Sequence, residues 1–459
     1  MRAQRVATVV LLGAAGASLV LLLRSLRLLA GLRRLQADPA DLTDVAALCG
    51  ALALAAALST LAATRLRAAL RTNLALALAS GALVLYAFEI LQALRDDTPN
   101  RYAEKLKTIE ALRQAGISAY GGVEPVRFVW ARDPASPASL TLGGRETLPL
   151  AGIAGRTTVD CRESPGLPWL IYEADEHGFR NPPGLWGPAP IELAAVGDSF
   201  TAGSCVPPDE NLFARLRQTH PGALNLGMPG SGPLLMLATL REYLPALRPG
   251  LVLWCHYGGN DLRDLRRERG HAILERYLEN GFRQGLAEQQ APLDAALDEY
   301  DRAWLSKSVA RLARRRIKPS DVLTLRSTRA RLGLAFPEPD AFAPPEEDVR
   351  LLETVLAKAR ATVESWQGRL YFVYLPPADE PPQRLGGHAL ARIEFATRRR
   401  VLALARALGL PVIDVTEAFA AHPEPDSLFA CPGCHYSEAG YRLAADAVRA
   451  GLAASAGPR

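Results

Sequence analysis

Ile191-Glu-Leu-Ala-Ala-Val-Gly-Asp-Ser-Phe-Thr201 decides the fold. Its first six residues are apolar except for Glu192 and run straight into Gly197-Asp198-Ser199. A short apolar run without alternation, ending in turn residues, reads as a strand buried on both faces, as in a parallel sheet. Working outward, Pro208 to His220 reads as a helix with Asp209 and Glu210 at its positive end. Ala223–Leu226 is a second strand and Pro233 to Leu247 a helix. Leu251–Tyr257, Leu370–Leu375 and Leu410–Val415 are three further strands, and a helix over Ala389 to Leu408 stops at Gly409. Strand and helix in alternation predict a parallel sheet covered by helices on both faces. Ligands of such sheets sit beyond the carboxyl ends of the strands.

The residues that follow the strands are therefore the ones to inspect. Ser199 stands at the turn after the first strand, where its hydroxyl faces the ligand edge but needs a base to become a nucleophile. At the end of the second strand comes Asn225-Leu-Gly-Met-Pro-Gly230, where glycine lets a backbone N–H approach a ligand. After the third comes Gly258-Gly-Asn260-Asp261, with an amide suited to a developing oxyanion. After the fifth comes Cys434-His435-Tyr436-Ser437, with the imidazole expected to begin the last helix. A Gly-Asp-Ser triplet is common and a lone histidine is usually structural. Four such pieces in order, each behind its own strand, are a different matter.

This order of Ser, Gly, Asn and His resembles the SGNH (GDSL-type) hydrolase superfamily over residues 191–459. The resemblance implies a three-layer α/β/α, flavodoxin-like domain and ester chemistry. By it Ser199 is the nucleophile and His435 its base. The backbone N–H groups of Ser199 and Gly230, with the Asn260 amide, form the oxyanion hole. No metal and no cofactor are implied. The superfamily usually carries an aspartate three residues before the histidine, and here that position is Pro432. Asp426, nine residues before His435, is the expected orienting acid, with Asp414 as a second candidate. The lead-in Tyr172 to Asn181, ending Gly178-Phe-Arg-Asn181, is similar to that of bacterial, envelope-associated members. The implied function is a serine esterase or O-acyltransferase acting on acylated cell-envelope carbohydrate. A lipid esterase at the membrane surface is one alternative. A catalytically silent, membrane-tethered carbohydrate-binding or scaffold protein is the other, kept alive by Pro432.

The rest of the chain frames this domain. Val6 to Leu23 and Val45 to Thr64 carry no charge, and Asn73 to Leu94 carries only Glu89. Each approaches the roughly 20 residues that a helix needs to cross a bilayer, and arginines bracket all three. No small-x-small cleavage site separates the first run from Arg24, so it reads as an uncleaved anchor. The expected organisation is a membrane anchor over 1–97 with spans near 6–23, 45–64 and 73–94. A linker with a small strand-rich or irregular segment follows over 98–190, then the hydrolase domain over 191–459 with a helical basic insertion over about 262–350. Arginine counts on the two sides nearly cancel, so charge alone does not orient the anchor. The subgroup resemblance implies a bacterial inner-membrane protein with a periplasmic or extracytoplasmic catalytic domain. The formal charge of +5 comes with no nucleic-acid-binding motif, so no nucleic-acid partner is expected. The run from Arg302 to Arg331 is read as a solvated arginine-rich face, with binding of anionic lipid headgroups or an acidic polysaccharide as the alternative. Six cysteines are too few for a disulfide scaffold. Cys431-Pro-Gly-Cys434 lacks the context of a redox or zinc motif, and a Cys205–Cys434 or Cys431–Cys434 disulfide is expected instead, against unpaired thiols.

Overall fold

The computed structural model describes residues 2–34, 39–94, 98–130, 138–163, 167–187, 189–313, 319–325, 327–328, 344–378, 391–431 and 433–455. They fall into two compact units, one built on residues 1–99, 311–343 and 385–396, the other on 100–310, 344–384 and 397–459.

The first unit holds three long helices, α1 (Arg2–Arg34), α2 (Pro39–Arg65) and α3 (Ala68–Leu94). Arg2–Arg27, Val45–Arg65 and Ala68–Gln92 are each long and apolar enough to cross a membrane. The shortest, 21 residues, spans about 32 Å at 1.5 Å per residue, against a hydrocarbon core of about 30 Å. Leu83 and Val84 are 72% and 68% exposed, which suits a lipid-facing surface and not an aqueous one. Between helices the contacts are small: Ala7, Leu11, Ala62, Ala63 and Ala75 pack together, as in bundles that lack a hydrophobic driving force. Glu89 accepts hydrogen bonds from Ser327 N (2.7 Å), Thr328 N (2.8 Å) and Thr328 Oγ1 (2.8 Å). Of the basic run, Arg314, Arg315, Arg316, Lys318, Arg326 and Arg329 lie outside the described residues.

The second unit is organised by five parallel strands, β6 (Leu193–Gly197), β7 (Leu224–Gly227), β8 (Leu251–Tyr257), β9 (Arg369–Leu375) and β10 (Val412–Asp414), in the order β10-β9-β8-β6-β7. In chain order that is 5-4-3-1-2, the flavodoxin-like arrangement. Side chains alternate between two cores. Ala194, Val196, Val252 and Trp254 enter one with Leu237, Leu240 and Leu356. Leu193, Ala195, Leu253 and Cys255 enter the other with Phe213, Phe419 and Val448. Both faces are buried under helices, which is why these strands read as continuous apolar runs. The strand order reverses between β6 and β8, and the crevice at that switch is where such folds bind ligands.

One helix is much shorter than the sequence pattern predicts. Only Leu212–Leu216 is helical, because Asn211 Oδ1 accepts from Ala214 N at 2.9 Å and starts the helix there. Asp209 and Glu210 therefore precede the helix instead of occupying its first turn. The helix Ala391–Ala407 does end before Gly409, which adopts φ +71°.

The segment before the large sheet is ordered by its own small sheet. Strands β1 (Ala119–Tyr120), β4 (Thr157–Val159) and β5 (Ile171–Glu173) pair in the order β1-β4-β5, beside a hairpin of β2 (Leu140–Leu142) and β3 (Arg145–Thr147). Within the segment, Val126–Val129 forms a helical turn. Tyr120, Phe128, Leu150 and Phe179 join the same core as Val196 and Trp254. The segment thus shares hydrophobic burial with the large sheet.

Candidate active site

Ser199 opens a single helical turn, Ser199–Ala202, directly at the carboxyl end of β6. Asp198 caps that turn, its Oδ1 accepting from Phe200 N at 2.9 Å. A Cβ at Gly197 would lie 2.0 Å from Thr201 Oγ1, so glycine is what lets the turn fold back onto the strand. Phe200 stacks on Tyr257 at the end of β8, ring centroids 3.6 Å apart, tying the turn to the neighbouring strand. Ser199 Oγ is 3.0 Å from His435 Nε2.

The other imidazole nitrogen meets a residue that the sequence pattern did not single out. His435 Nδ1 lies 2.6 Å from Glu163 Oε1, and the same oxygen accepts from the His435 backbone N–H at 3.0 Å. A carboxylate at Nδ1 selects the tautomer with its proton there, leaving Nε2 free to accept from Ser199. Burial alone would lower the imidazole's pKa. The hydrogen bond and charge of Glu163, helped by Asp198 and Asp160, outweigh that and raise it. Asp426, the expected acid, is exposed in the short 3-10 turn Pro425–Leu428, and does not stand at Nδ1. Phe429 N donates to Asp426 O within that turn, and the place at Nδ1 is taken by Glu163. Asp414 is engaged with Arg398, whose Nε lies 3.1 Å away, and with Thr416 N. Pro432 lies outside the described residues. His435 itself precedes the last helix, Glu438–Ser455, and is not its first residue. The bridge between Phe429 and Tyr436 and the bond from Ala430 N to His435 O hold it there.

Gly230 and Asn260 follow β7 and β8, the two strands that flank β6. Met228-Pro-Gly-Ser231 closes through Ser231 N to Met228 O at 3.1 Å, with Gly230 at φ +77°. Pro at the second and Gly at the third position suit a type II turn, which closes through Ser231 and leaves the Gly230 N–H out of that bond. A Cβ at Gly230 would come within 2.9 Å of Val126. Asn225 fastens this loop to the nucleophile turn, its Nδ2 donating to Thr201 O at 3.0 Å while Oδ1 accepts from Gly227 N. Asn260 occupies the N-cap position of helix Asp261–Glu268, yet its side chain does not cap. Its Oδ1 is buried without a hydrogen bond among the described residues, so the amide is not consumed by the helix.

The lead-in Tyr172 to Asn181 braces the same loops. Arg180 donates from its two terminal nitrogens to Gly203 O and Val206 O, beyond the nucleophile turn. Asn181 Oδ1 accepts from Asn225 N at 2.9 Å, and Asp175 receives Asn181 Nδ2 and Trp186 Nε1, both at 2.7 Å. Of the two pairings expected for the cysteines, Cys431–Cys434 is formed, whereas Cys205 is bonded to Cys161 and not to Cys434. Cys161 lies just past β4, in the connection to β5. Glu163, Cys205 and His435 bring donor atoms within 4.8 Å of one another, as do Glu163, Cys431 and Cys434. With these sulfurs in disulfides no thiolate is available, and the donor set does not fit a metal.

A model of the GDSL-like lipase/acylhydrolase family matches residues 195–443, a stretch that contains Ser199, Gly230, Asn260 and His435 and leaves out Glu163. Among solved structures, the chain is similar to a G-D-S-L-family lipolytic protein from Desulfitobacterium hafniense. The identity is 14% and the TM-score 0.32, covering 57% of this chain and 99% of the other. A GDSL-like lipase from Bacteroides thetaiotaomicron is 13% identical at TM-score 0.32, covering 58% and 89%. A lipase/acylhydrolase from Enterococcus faecalis is 17% identical at TM-score 0.31, covering 58% and 97%. These overlaps are too low to argue from, and the fold rests on the strand order itself. No curated protein matches the chain.

Proposed function

Since the chain belongs to the GDSL-like lipase/acylhydrolase family, we propose that it is a membrane-anchored serine esterase or O-acyltransferase working through Ser199, His435 and Glu163. The observation that carries this is one imidazole bonded on both sides, to a serine hydroxyl at 3.0 Å and to a carboxylate at 2.6 Å. Ser199 Oγ attacks an acyl carbonyl while His435 Nε2 takes its proton. Glu163 holds Nδ1–H and stabilises the imidazolium that forms. The oxyanion receives the Ser199 and Gly230 N–H groups and the Asn260 amide. His435 returns the proton to the leaving alkoxide, leaving the acyl group on Ser199. Water or a second hydroxyl, deprotonated by the same imidazole, then releases it.

A fluorophosphonate probe applied to the full chain in detergent tests this directly. Labelling is expected for the wild type and absent in Ser199→Ala. Folded wild type that stays unlabelled at pH 8 refutes it. The silent-scaffold alternative rested on Pro432 standing where the usual acid would be, and the contact of Glu163 with His435 Nδ1 favours the enzyme reading over it.

For the substrate, the Gly178 to Asn181 lead-in favours an acylated envelope carbohydrate, and the three apolar helices keep a lipid ester in view. Acetate released from an acetylated polysaccharide, against fatty acid released from phospholipid vesicles, separates the two. The two disulfides favour an oxidising compartment for the catalytic unit. Three spans with the amino terminus inside would allow the extracytoplasmic side of a bacterial inner membrane, which is the arrangement this reading adopts. A carboxyl-terminal alkaline phosphatase fusion checks this, and an inactive but stable fusion reverses the assignment.

A further inference from the structure

Glu163 reaches His435 from a loop outside the large sheet. Strands β4 and β5 pair over three residues, and the ladder continues through Asp160 N to Leu170 O and Leu170 N to Cys161 O, each 2.9 Å. Glu163 lies two residues past that last rung, where ladder bonds no longer fix the backbone. A carboxylate that must meet an imidazole at 2.6 Å needs a tether. The neighbouring Arg162 pairs with the half-exposed Glu104 and lies over the Trp169 ring, 4.9 Å from its centroid; both contacts are non-covalent and of modest strength.

The stronger tether is covalent. Cys161 is bonded to Cys205, with Cα atoms 5.4 Å apart. Cys205 follows Ser199 by six residues, in the loop whose carbonyls at Gly203 and Val206 are gripped by Arg180. It adopts φ +67°, a left-handed conformation unusual for a residue with a side chain, and one that persists where the surroundings enforce it. Its Sγ lies 3.6 Å from His435 Nδ1, the atom that Glu163 binds. The bond thus joins the nucleophile's loop to the acid's loop, against the edge of the base.

We propose that the Cys161–Cys205 disulfide is the positioning element of the catalytic carboxylate. Cys161 and Cys205 hold Glu163 on His435 Nδ1, so that full turnover requires the bond. This rests on the role given to Glu163 above, and the test separates the two ideas. The full chain is compared as wild type, Glu163→Gln, Cys161→Ser/Cys205→Ser, and the triple variant. The double variant is expected to lose about 10- to 100-fold in kcat, the scale of an ångström-sized misplacement, with KM less affected. Its acid limb in kcat/KM should move to lower pH, since an imidazole without the Glu163 charge loses what raises its pKa. A merely structural bond would lower the amount of active protein without moving that limb. The triple variant should be no worse than Glu163→Gln alone, because the bond acts through that residue.

Wild-type kcat and pH limb in the double variant, with Glu163→Gln impaired, overturn the proposal and leave the triad standing. Losses that multiply in the triple variant overturn it as well. Unimpaired Glu163→Gln overturns the triad and the tether together. If the double variant does not fold, the comparison moves to folded Cys431→Ser/Cys434→Ser protein before and after phosphine reduction. There the S–S bond gives two thiols, the phosphine becomes its oxide, and water supplies the oxygen and both protons. Unchanged kcat and pH limb after verified reduction again overturn the proposal.

Discussion

Replacing Glu163 by glutamine keeps an oxygen for the His435 backbone N–H but removes the negative charge 2.6 Å from Nδ1. The side chains of Glu163 and His435 are only 14% and 26% exposed, so solvent does not fully screen the loss. Two consequences follow from that geometry. The imidazolium formed during attack loses its charge-assisted partner, which is roughly twice as strong as a neutral bond. The amide can also present N–H to Nδ1 and select the wrong tautomer, leaving the ring proton on Nε2, the nitrogen that must accept from Ser199. Loss of the orienting acid in serine triads lowers turnover by about 10⁴-fold. For a carboxylate that is partly solvent-accessible, about 10²- to 10⁴-fold in kcat is expected here, or about 2.7–5.4 kcal/mol at 1.36 kcal/mol per decade. Hydrolysis of a short-chain p-nitrophenyl ester by the full chain in detergent measures it, with Asp426→Asn alongside. That exposed residue should change kcat by no more than about twofold, in keeping with surface substitutions. Glu163→Gln within threefold of wild type, or Asp426→Asn equally impaired, would refute the assignment of the acid.

Other outcomes follow from the same site. The base must be neutral to accept the serine proton, and its pKa is raised, so kcat/KM should fall on acidification through a limb above pH 6.5. A limb well below 6.5 contradicts the pairing with Glu163. Asn260→Ala should lower kcat by about 10²- to 10³-fold with a folded protein by circular dichroism, and full activity would remove Asn260 from the oxyanion hole. Arg180→Lys loses the fork that binds Gly203 O and Val206 O together. It should reduce unfolding free energy by about 1.5–3 kcal/mol, seen as a lower Tm of the catalytic unit, and an unchanged Tm would show that the brace is dispensable.

How much of this was legible beforehand depended on how local each signal was. Five strands were readable because burial on both faces turns each into a continuous apolar run. Three membrane helices were readable because a bilayer demands length and apolarity over one uninterrupted segment. Ser199, Gly230, Asn260 and His435 were nameable because each follows a strand, and parallel strands bring their carboxyl ends to one edge. The extent of the Pro208 to His220 helix was missed because Asn211 competes as a cap with the two acidic residues before it. The acid and the second disulfide were not readable at all. Glu163 and His435 are 272 residues apart, and nothing in the local pattern of a hairpin loop marks one glutamate as the partner of a distant imidazole. Periodicity and turn chemistry report on neighbours in the chain, and they determined the sheet, the anchor and the serine–histidine pair. Which carboxylate reaches the imidazole is a matter of how separate loops meet in space, and only the packing of the small sheet against the large one decides that.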